Sequence, residues 1–105
     1  VAEATPVPWL AGATFAHRGR HGPGAVENSA TAFTAAIRAG LGIECDVQLS
    51  ADGQAMVFHD FALDRLTGTP GAVIDQSADA LTRLRLTGSG DTIMPLGQML
   101  AMVQG

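Results

Sequence analysis

Two histidines, an arginine and a pair of acids stand where strand-like segments run out. His17 and Arg18 close ATFAHRG, Glu44 and Asp46 alternate within GIECDVQLS, and His59 comes at the end of GQAMVFHD. Residues two apart in a strand share a face, so the carboxylates of Glu44 and Asp46 point the same way. Hard carboxylate oxygens on one face suit Mg²⁺ or Ca²⁺, with water or substrate oxygens completing the shell. Such a cation removes the like-charge repulsion that otherwise keeps one carboxyl protonated. The same pair also reads as a solvated strand face, or as partners for arginine. Arg18 offers the planar fork of donors that matches a phosphate. Two imidazoles titrating near neutral pH can serve as base and acid on opposite sides of a phosphorus centre.

Other polar residues fit plainer roles. His21 sits in a glycine-bearing loop and is expected in solvent, and Gly19, Gly22 and Gly24 match neither a dinucleotide nor a P-loop spacing. Arg83 and Arg85 alternate with leucines as a solvated face. Cys45, the single cysteine, cannot form an internal disulfide and reads as a buried, inert thiol. Asp60 either steadies His59 or begins a turn. Glu27, beside Asn28, reads as a first-turn acid favoured by a helix dipole.

The elements that must position these groups are legible in outline. Ala13 to Gly19 reads as a short strand cut off by glycine, followed by a loop through Glu27. NSATAFTAAIRAG is a helix with Asn28 or Ser29 as N-cap, Phe33 and Ile37 on its apolar side with Ala30 and Ala36, and Gly40 at C′. The next strand, Ile43 to Leu49, puts Ile43, Cys45, Val47 and Leu49 on a helix-packed face and Glu44, Asp46 and Gln48 on a polar one. Strand, helix, strand is a βαβ unit. Asp52-Gly53 then signals a hairpin. A two-residue loop places Asp46 opposite His59, whereas a three-residue loop places His59 opposite Cys45. Downstream, FALDRLTGTPGAV is turn-rich, DQSADALTRLRL holds a short helix capped by Ser77, and MPLGQMLAMVQG is an amphipathic helix with Leu96, Met99, Leu100 and Val103 inward.

Composition bounds the possibilities. The 105 residues are 47% hydrophobic, enough for one modest core and too apolar for disorder. Ten acids stand against six basic residues, all arginine, for a net charge of −4, which argues against a nucleic-acid or anionic-membrane partner. No apolar run approaches the roughly 20 residues needed for stable membrane insertion. The opening VAEATPVPWL lacks the charged n-region of a signal peptide, so cytoplasm is the default expectation.

AHRG, VENSATAF, GIECDVQLSADGQAMVFHD and LDRLTGTPG, in that order from Ala16 to Gly71, resemble the N-terminal part of the glycerophosphodiester phosphodiesterase family. IMPLGQMLAMV is similar to the family's Ile-Pro-Thr-Leu-x-Glu-x-Leu helix in weakened form. The resemblance implies an α/β fold, the N-terminal portion of a TIM (β/α)8 barrel with a hairpin insertion after strand 2. Because such a barrel takes about 250 residues, residues 1–105 are expected to form a partial barrel domain ending before the third barrel strand. They would be part of a longer chain or a unit assembling with its own copies. Carried over position by position, the resemblance implies His17 and His59 as the acid/base pair, Arg18 as a phosphate ligand, and Glu44 and Asp46 as ligands of Mg²⁺ or Ca²⁺. It places Glu27 and Asn28 in support of the site and a further metal ligand on the next strand. The implied reaction is metal-dependent hydrolysis of a small-molecule glycerophosphodiester to sn-glycerol 3-phosphate and an alcohol, with only part of the site on this chain. The alternatives are a phospholipase D-like or phosphoinositide phospholipase-like barrel, or a non-catalytic half-barrel that only binds an ion.

Overall fold

The computed structural model describes residues 14–104. Ala13 and the proline-bearing lead-in lie outside the described residues. β1 (Phe15–His17) and β2 (Gly42–Glu44) run parallel, with Phe15 level with Gly42 and His17 level with Glu44. The crossover between them is α1 (Ala30–Arg38), giving the βαβ unit expected from the sequence. Ser29, extended and buried, is the N-cap, and its hydroxyl accepts from the Ala32 amide at 3.1 Å. The helix ends where Gly40, at φ +71°, lets the Gly40 and Leu41 amides bond back to the carbonyls of Ile37 and Ala36. The buried stripe is Ala32, Phe33 and Ala36, while Ile37 lies partly open. The acid at the N-terminus of α1 is Asp91, whose carboxylate accepts the Thr31 amide at 3.1 Å, and not Glu27 as the local sequence suggested.

The loop between β1 and α1 is bent at both ends by left-handed residues. Arg18 has φ +57° and Asn28 has φ +56°, and the Asn28 amide bonds the Arg18 carbonyl at 2.8 Å, so the loop's ends are clasped together. Asparagine tolerates that region well, whereas arginine rarely occupies it. Gly19 has φ +79°, and a Cβ there would meet Ala32 Cβ and Phe33 Cδ1 at 2.9 Å, so this glycine serves both the turn and the close approach of α1.

The expected single strand from Ile43 to Leu49 is two strands in two sheets. After Glu44 the chain leaves β1, because β1 has already turned away at Arg18. The Asp46 amide meets the Asn28 side-chain oxygen at 3.4 Å, and the Asp46 carbonyl accepts the Phe58 amide at 3.0 Å. β3 (Val47–Leu49) then pairs antiparallel with β4 (Ala55–Val57), and β4 with β5 (Met94–Pro95). Leu49 is level with Ala55 and Ser50 bonds Gln54, so the hairpin loop is Ala51, Asp52 and Gly53, with Gly53 at φ +79°. This is the three-residue geometry, and it corrects the two-residue loop and its pairing of Asp46 with His59. Asp46 is opposite Phe58, and continuing the register sets His59 level with Cys45. Past the switch at Cys45 and Asp46 the odd-numbered face no longer lies under α1. Val47 and Leu49 are accordingly exposed, contrary to the packing expected of that face.

β4 is buried on both sides and divides the interior. Met56 of β4 and Phe58 just beyond it join Leu63, Val73, Leu81, Leu86 and Ile93 in one core. Val57 faces the other way, against Phe33, Met94 and Met99. Ile93 and Met94 split between the same two cores, one residue each. α2 (Asp64–Thr67), a 3₁₀ turn at Val73–Asp75, and α3 (Ala78–Thr82) enclose the first core, and Ser77 caps α3 as expected. α4 (Leu96–Gln104) and α1 cover the second. On α4 the inward residues are Leu96, Met99 and Met102, while Leu100 and Val103 are exposed, correcting the face expected for that helix.

Two glycine substitutions separate backbone strain from steric conflict. Gly40 has open space around its Cα, so Gly40→Ala is expected to cost about 1 kcal/mol from its positive φ alone. Gly19→Ala adds the clash with α1, and its cost is expected to rise to about 2–4 kcal/mol. Urea unfolding of both variants checks this; equal midpoints would show that α1 does not rest on Gly19.

Candidate active site

His17 ends β1 opposite Glu44, and its Nε2 lies 3.4 Å from Glu44 Oε2. The turn at Arg18 then directs the next side chain inward, where it is largely buried. Arg18 Nη1 donates to Glu27 Oε2 at 3.0 Å, and Arg18 Nε stands 3.4 Å from Asp46 Oδ2. Asn28 is held by its own left-handed bend so that its amide nitrogen donates to the same Asp46 oxygen at 3.1 Å. Because His17 and Arg18 are sequential, these two pairs start from adjacent residues at the end of the parallel pair.

His59 enters from the end of β4. Its Nδ1 is 2.9 Å from Asp60 Oδ1, and the Gln48 amide nitrogen donates to the carbonyls of Phe58, His59 and Asp60, fixing the backbone there. Asp60 is gripped in turn by Arg65 from α2, with Nε on Oδ2 at 2.7 Å and Nη2 on Oδ1 at 2.9 Å. Arg65 Nη2 also donates to Glu27 Oε1. Glu27 therefore sits buried between two guanidinium groups, one from each side of the site.

The charges follow from these contacts. Hydrogen bonds from Arg65, then from His59, hold the Asp60 carboxyl far below the usual carboxylate range. Burial pushes Glu27 up, but the combined hydrogen bonds and charges of Arg65 and Arg18 outweigh it and bring it down. Bonding to Asp60 and Glu27 pushes Arg65 further up. Since an ionised Asp60 can only accept, His59 must donate from Nδ1, which leaves Nε2 free to take or give a proton. Burial, with Asp46 and Glu44 nearby, raises the Cys45 thiol, consistent with an inert role.

Two places invite a cation. Oxygens of Glu27 and Asp60 and a ring nitrogen of His59 lie within 4.8 Å of one another. A cation is already there, because the Arg65 guanidinium binds both carboxylates. At Glu44 and Asp46 the donors differ: among the described residues, Glu44 Oε1 and Asp46 Oδ1 take no hydrogen bond, and both side chains are partly open to solvent. Free, accessible carboxylate oxygens fit a hard divalent ion.

Of the five residues singled out in the sequence, His17 pairs with Glu44, Arg18 pairs with Asp46, and His59 is joined to Arg18 through Asp60, Arg65 and Glu27. His21 is exposed, its ring centroid 6.4 Å from that of His17. Arg65 was missed as a functional residue. It lies in a stretch that read as turns, and its signal was only an arginine five residues beyond Asp60.

A sequence profile described as the Glycerophosphoryl diester phosphodiesterase family matches residues 17–103. Over 70 residues the chain is 46% identical to a glycerophosphodiester phosphodiesterase of Bacillus altitudinis, covering 66% of this chain and 28% of that protein. The crystal structure of a glycerophosphodiester phosphodiesterase from Agrobacterium tumefaciens superposes with a TM-score of 0.80 at 33% identity, over 89% of this chain and 42% of that one. An Oleispira antarctica phosphodiesterase in complex with the product sn-glycerol-3-phosphate superposes at 0.78 with 27% identity, over 88% and 40%. The chain thus spans well under half the length of these relatives.

Acid should undo the carboxylate network. Both Asp60 and Glu27 are lowered in the folded protein, so their stabilisation is complete above the unfolded carboxylate range and drains as pH falls below about 4. Asp60→Asn is expected to lower the thermal midpoint at pH 7 and to flatten its decline toward about pH 2–3. Parallel curves for parent and variant would show that Asp60 is not held low by its partners.

Proposed function

The chain belongs to the glycerophosphoryl diester phosphodiesterase family, and from that premise we propose that it forms the first two βα units of a phosphodiesterase barrel. In this reading the β3–β4 hairpin is an insertion after the second barrel strand. The reaction is hydrolysis of a glycerophosphodiester to sn-glycerol 3-phosphate and an alcohol, and the product complex of the Oleispira antarctica relative supports that substrate class. The observation that carries the proposal is the convergence of unlike groups: His17 on Glu44 and Arg18 on Asp46, both at 3.4 Å, at the carboxyl ends of two parallel strands. Ligands in α/β folds bind at those strand ends.

Arg18 is suited to the phosphate. Its buried Nε faces Asp46 Oδ2 at 3.4 Å without a hydrogen bond and its Nη1 donates to Glu27, while among the described residues Nη2 makes no hydrogen bond and is left for a phosphate oxygen. His59, with its Nδ1 proton directed at Asp60, presents Nε2 for proton transfer at one oxygen of the phosphodiester, and His17 serves at the other. Glu44 and Asp46 would hold Mg²⁺ or Ca²⁺, which when bound supplies Lewis-acid polarisation of a phosphoryl oxygen. Asn28 keeps Asp46 aimed at the site by bonding one of its oxygens and its backbone amide.

Metal affinity and hydrolysis test separate parts of this reading. Calorimetric titration of the chain with Mg²⁺ or Ca²⁺ is expected to show one site, weakened about 10-fold or more by Glu44→Gln or Asp46→Asn. In a barrel completed by grafting residues 14–104 onto the remainder of the Agrobacterium tumefaciens relative, glycerophosphocholine hydrolysis is expected to fall about 10²–10⁴-fold with His17→Ala or His59→Ala. Activity surviving both histidine changes contradicts their roles.

A further inference from the structure

Arg65 makes more charged contacts than the fold requires of a surface arginine on a one-turn helix. Its side chain is half exposed, yet its guanidinium reaches Asp60 through two nitrogens and Glu27 through one. Those carboxylates belong to opposite sides of the site. Asp60 holds His59, and Glu27 holds Arg18. Among the described residues, this single guanidinium is the only side chain bonding to both.

We infer that Arg65 is a positioning residue for the proposed phosphodiesterase reaction, fixing the His59 ring through Asp60 and the Arg18 guanidinium through Glu27. The inference rests on the reading of the preceding subsection. The planar fork matters to it. Nε and Nη2 engage the two oxygens of Asp60 in parallel, while the second Nη2 hydrogen remains for Glu27. A lysine is a point charge without that geometry and cannot make the three bonds in the same arrangement. Without Arg65, among the described residues Asp60 keeps only the half-exposed His59 as a side-chain partner, and Glu27 keeps only Arg18. The carboxylate that dictates the His59 tautomer is then free to turn toward solvent, and the buried Glu27 draws Arg18 away from Asp46.

The same grip opposes a metal at Glu27, His59 and Asp60 despite their spacing: an incoming ion would have to displace a guanidinium that is bonded to both acids.

The test is nitrogen NMR of the His59 ring, with the chain in its neutral-histidine range, for the parent, Arg65→Met, Arg65→Lys and Asp60→Asn. The parent is expected to show one tautomer, protonated at Nδ1. Arg65→Met is expected to give a mixture of tautomers together with a shifted Arg18 Nε resonance, and Arg65→Lys an intermediate spectrum. Asp60→Asn, which removes the negative charge and replaces one acceptor oxygen by a donor while keeping the shape, is expected to disturb His59 but leave the Arg18 resonance in place. If Arg65 serves the fold alone, Arg65→Met lowers the thermal midpoint while the folded fraction keeps the parent tautomer and Arg18 shift, which overturns the inference. In the completed barrel, Arg65→Met is expected to lower kcat about 10²-fold with KM within about 2-fold, the signature of misplaced groups. Altered His59 and Arg18 signals with no hydrolysis in the parent barrel would retain the positioning role and reject the phosphodiesterase reading. Hydrolysis by the parent with kcat and tautomer unchanged in Arg65→Met would do the reverse.

Discussion

A buried carboxylate flanked by two guanidinium groups is the constraint on which the site depends. Glu27 is buried in the loop before α1, and a carboxylate there is tolerated only with cations and hydrogen bonds around it. Arg18 comes from the strand end preceding the loop, and Arg65 comes from the short helix beyond the hairpin. Removing one partner of a fully buried pair typically costs about 3–5 kcal/mol, and the half-exposed Arg65, screened by solvent, is expected to contribute well below that. The network therefore ties together segments that no strand pairing joins. It also joins His59, through Asp60, to Arg18, the residue that follows His17.

The backbone serves that frame by changing partners at a single point. β2 follows β1 for three residues, then the chain crosses Cys45 and Asp46 and pairs with β4. The crossing is stabilised by Asn28, which occupies the Asp46 amide and carboxylate together. Asp46 is thus both the end of one sheet and a member of the site. On the other side of the crossing, β4 is packed on both faces, and burying residues such as Met56, Val57 and Phe58 contributes about 1.5–3 kcal/mol each. The rigid strand leads directly to His59 and Asp60.

Much of this could be read from residue types. The cap at Asn28 or Ser29, realised at Ser29, and the stop at Gly40 rest on short-range chemistry, whereas the alternation of Glu44 with Asp46 is interrupted, because the strand ends at Glu44 and a new one begins at Val47. What escaped was long-range. The hairpin signal at Asp52-Gly53 is compatible with two loop lengths, and the left-handed Gly53 together with the Ser50 to Gln54 bond selects the longer. Glu27 looked like a helix-dipole acid because its neighbour looked like the cap, yet Asp91 from the far end of the chain takes that position. Arg65 left no periodic trace, since a single helical turn carries none. Val47 and Leu49 looked like core because alternation indicates which residues share a face, and nothing in the alternation says whether that face is covered.

The chemistry proposed for the site turns on which carboxylates receive a divalent ion. Glu44 and Asp46 have free oxygens at the strand ends, while Glu27 and Asp60 are already neutralised by arginine. Anomalous diffraction from a crystal of the chain soaked in Mn²⁺ distinguishes them directly. The expected peak lies within bonding distance of Glu44 and Asp46, with Arg65 still paired to Glu27 and Asp60. A peak held by Glu27, His59 and Asp60, with Arg65 displaced, would contradict the assignment of the site.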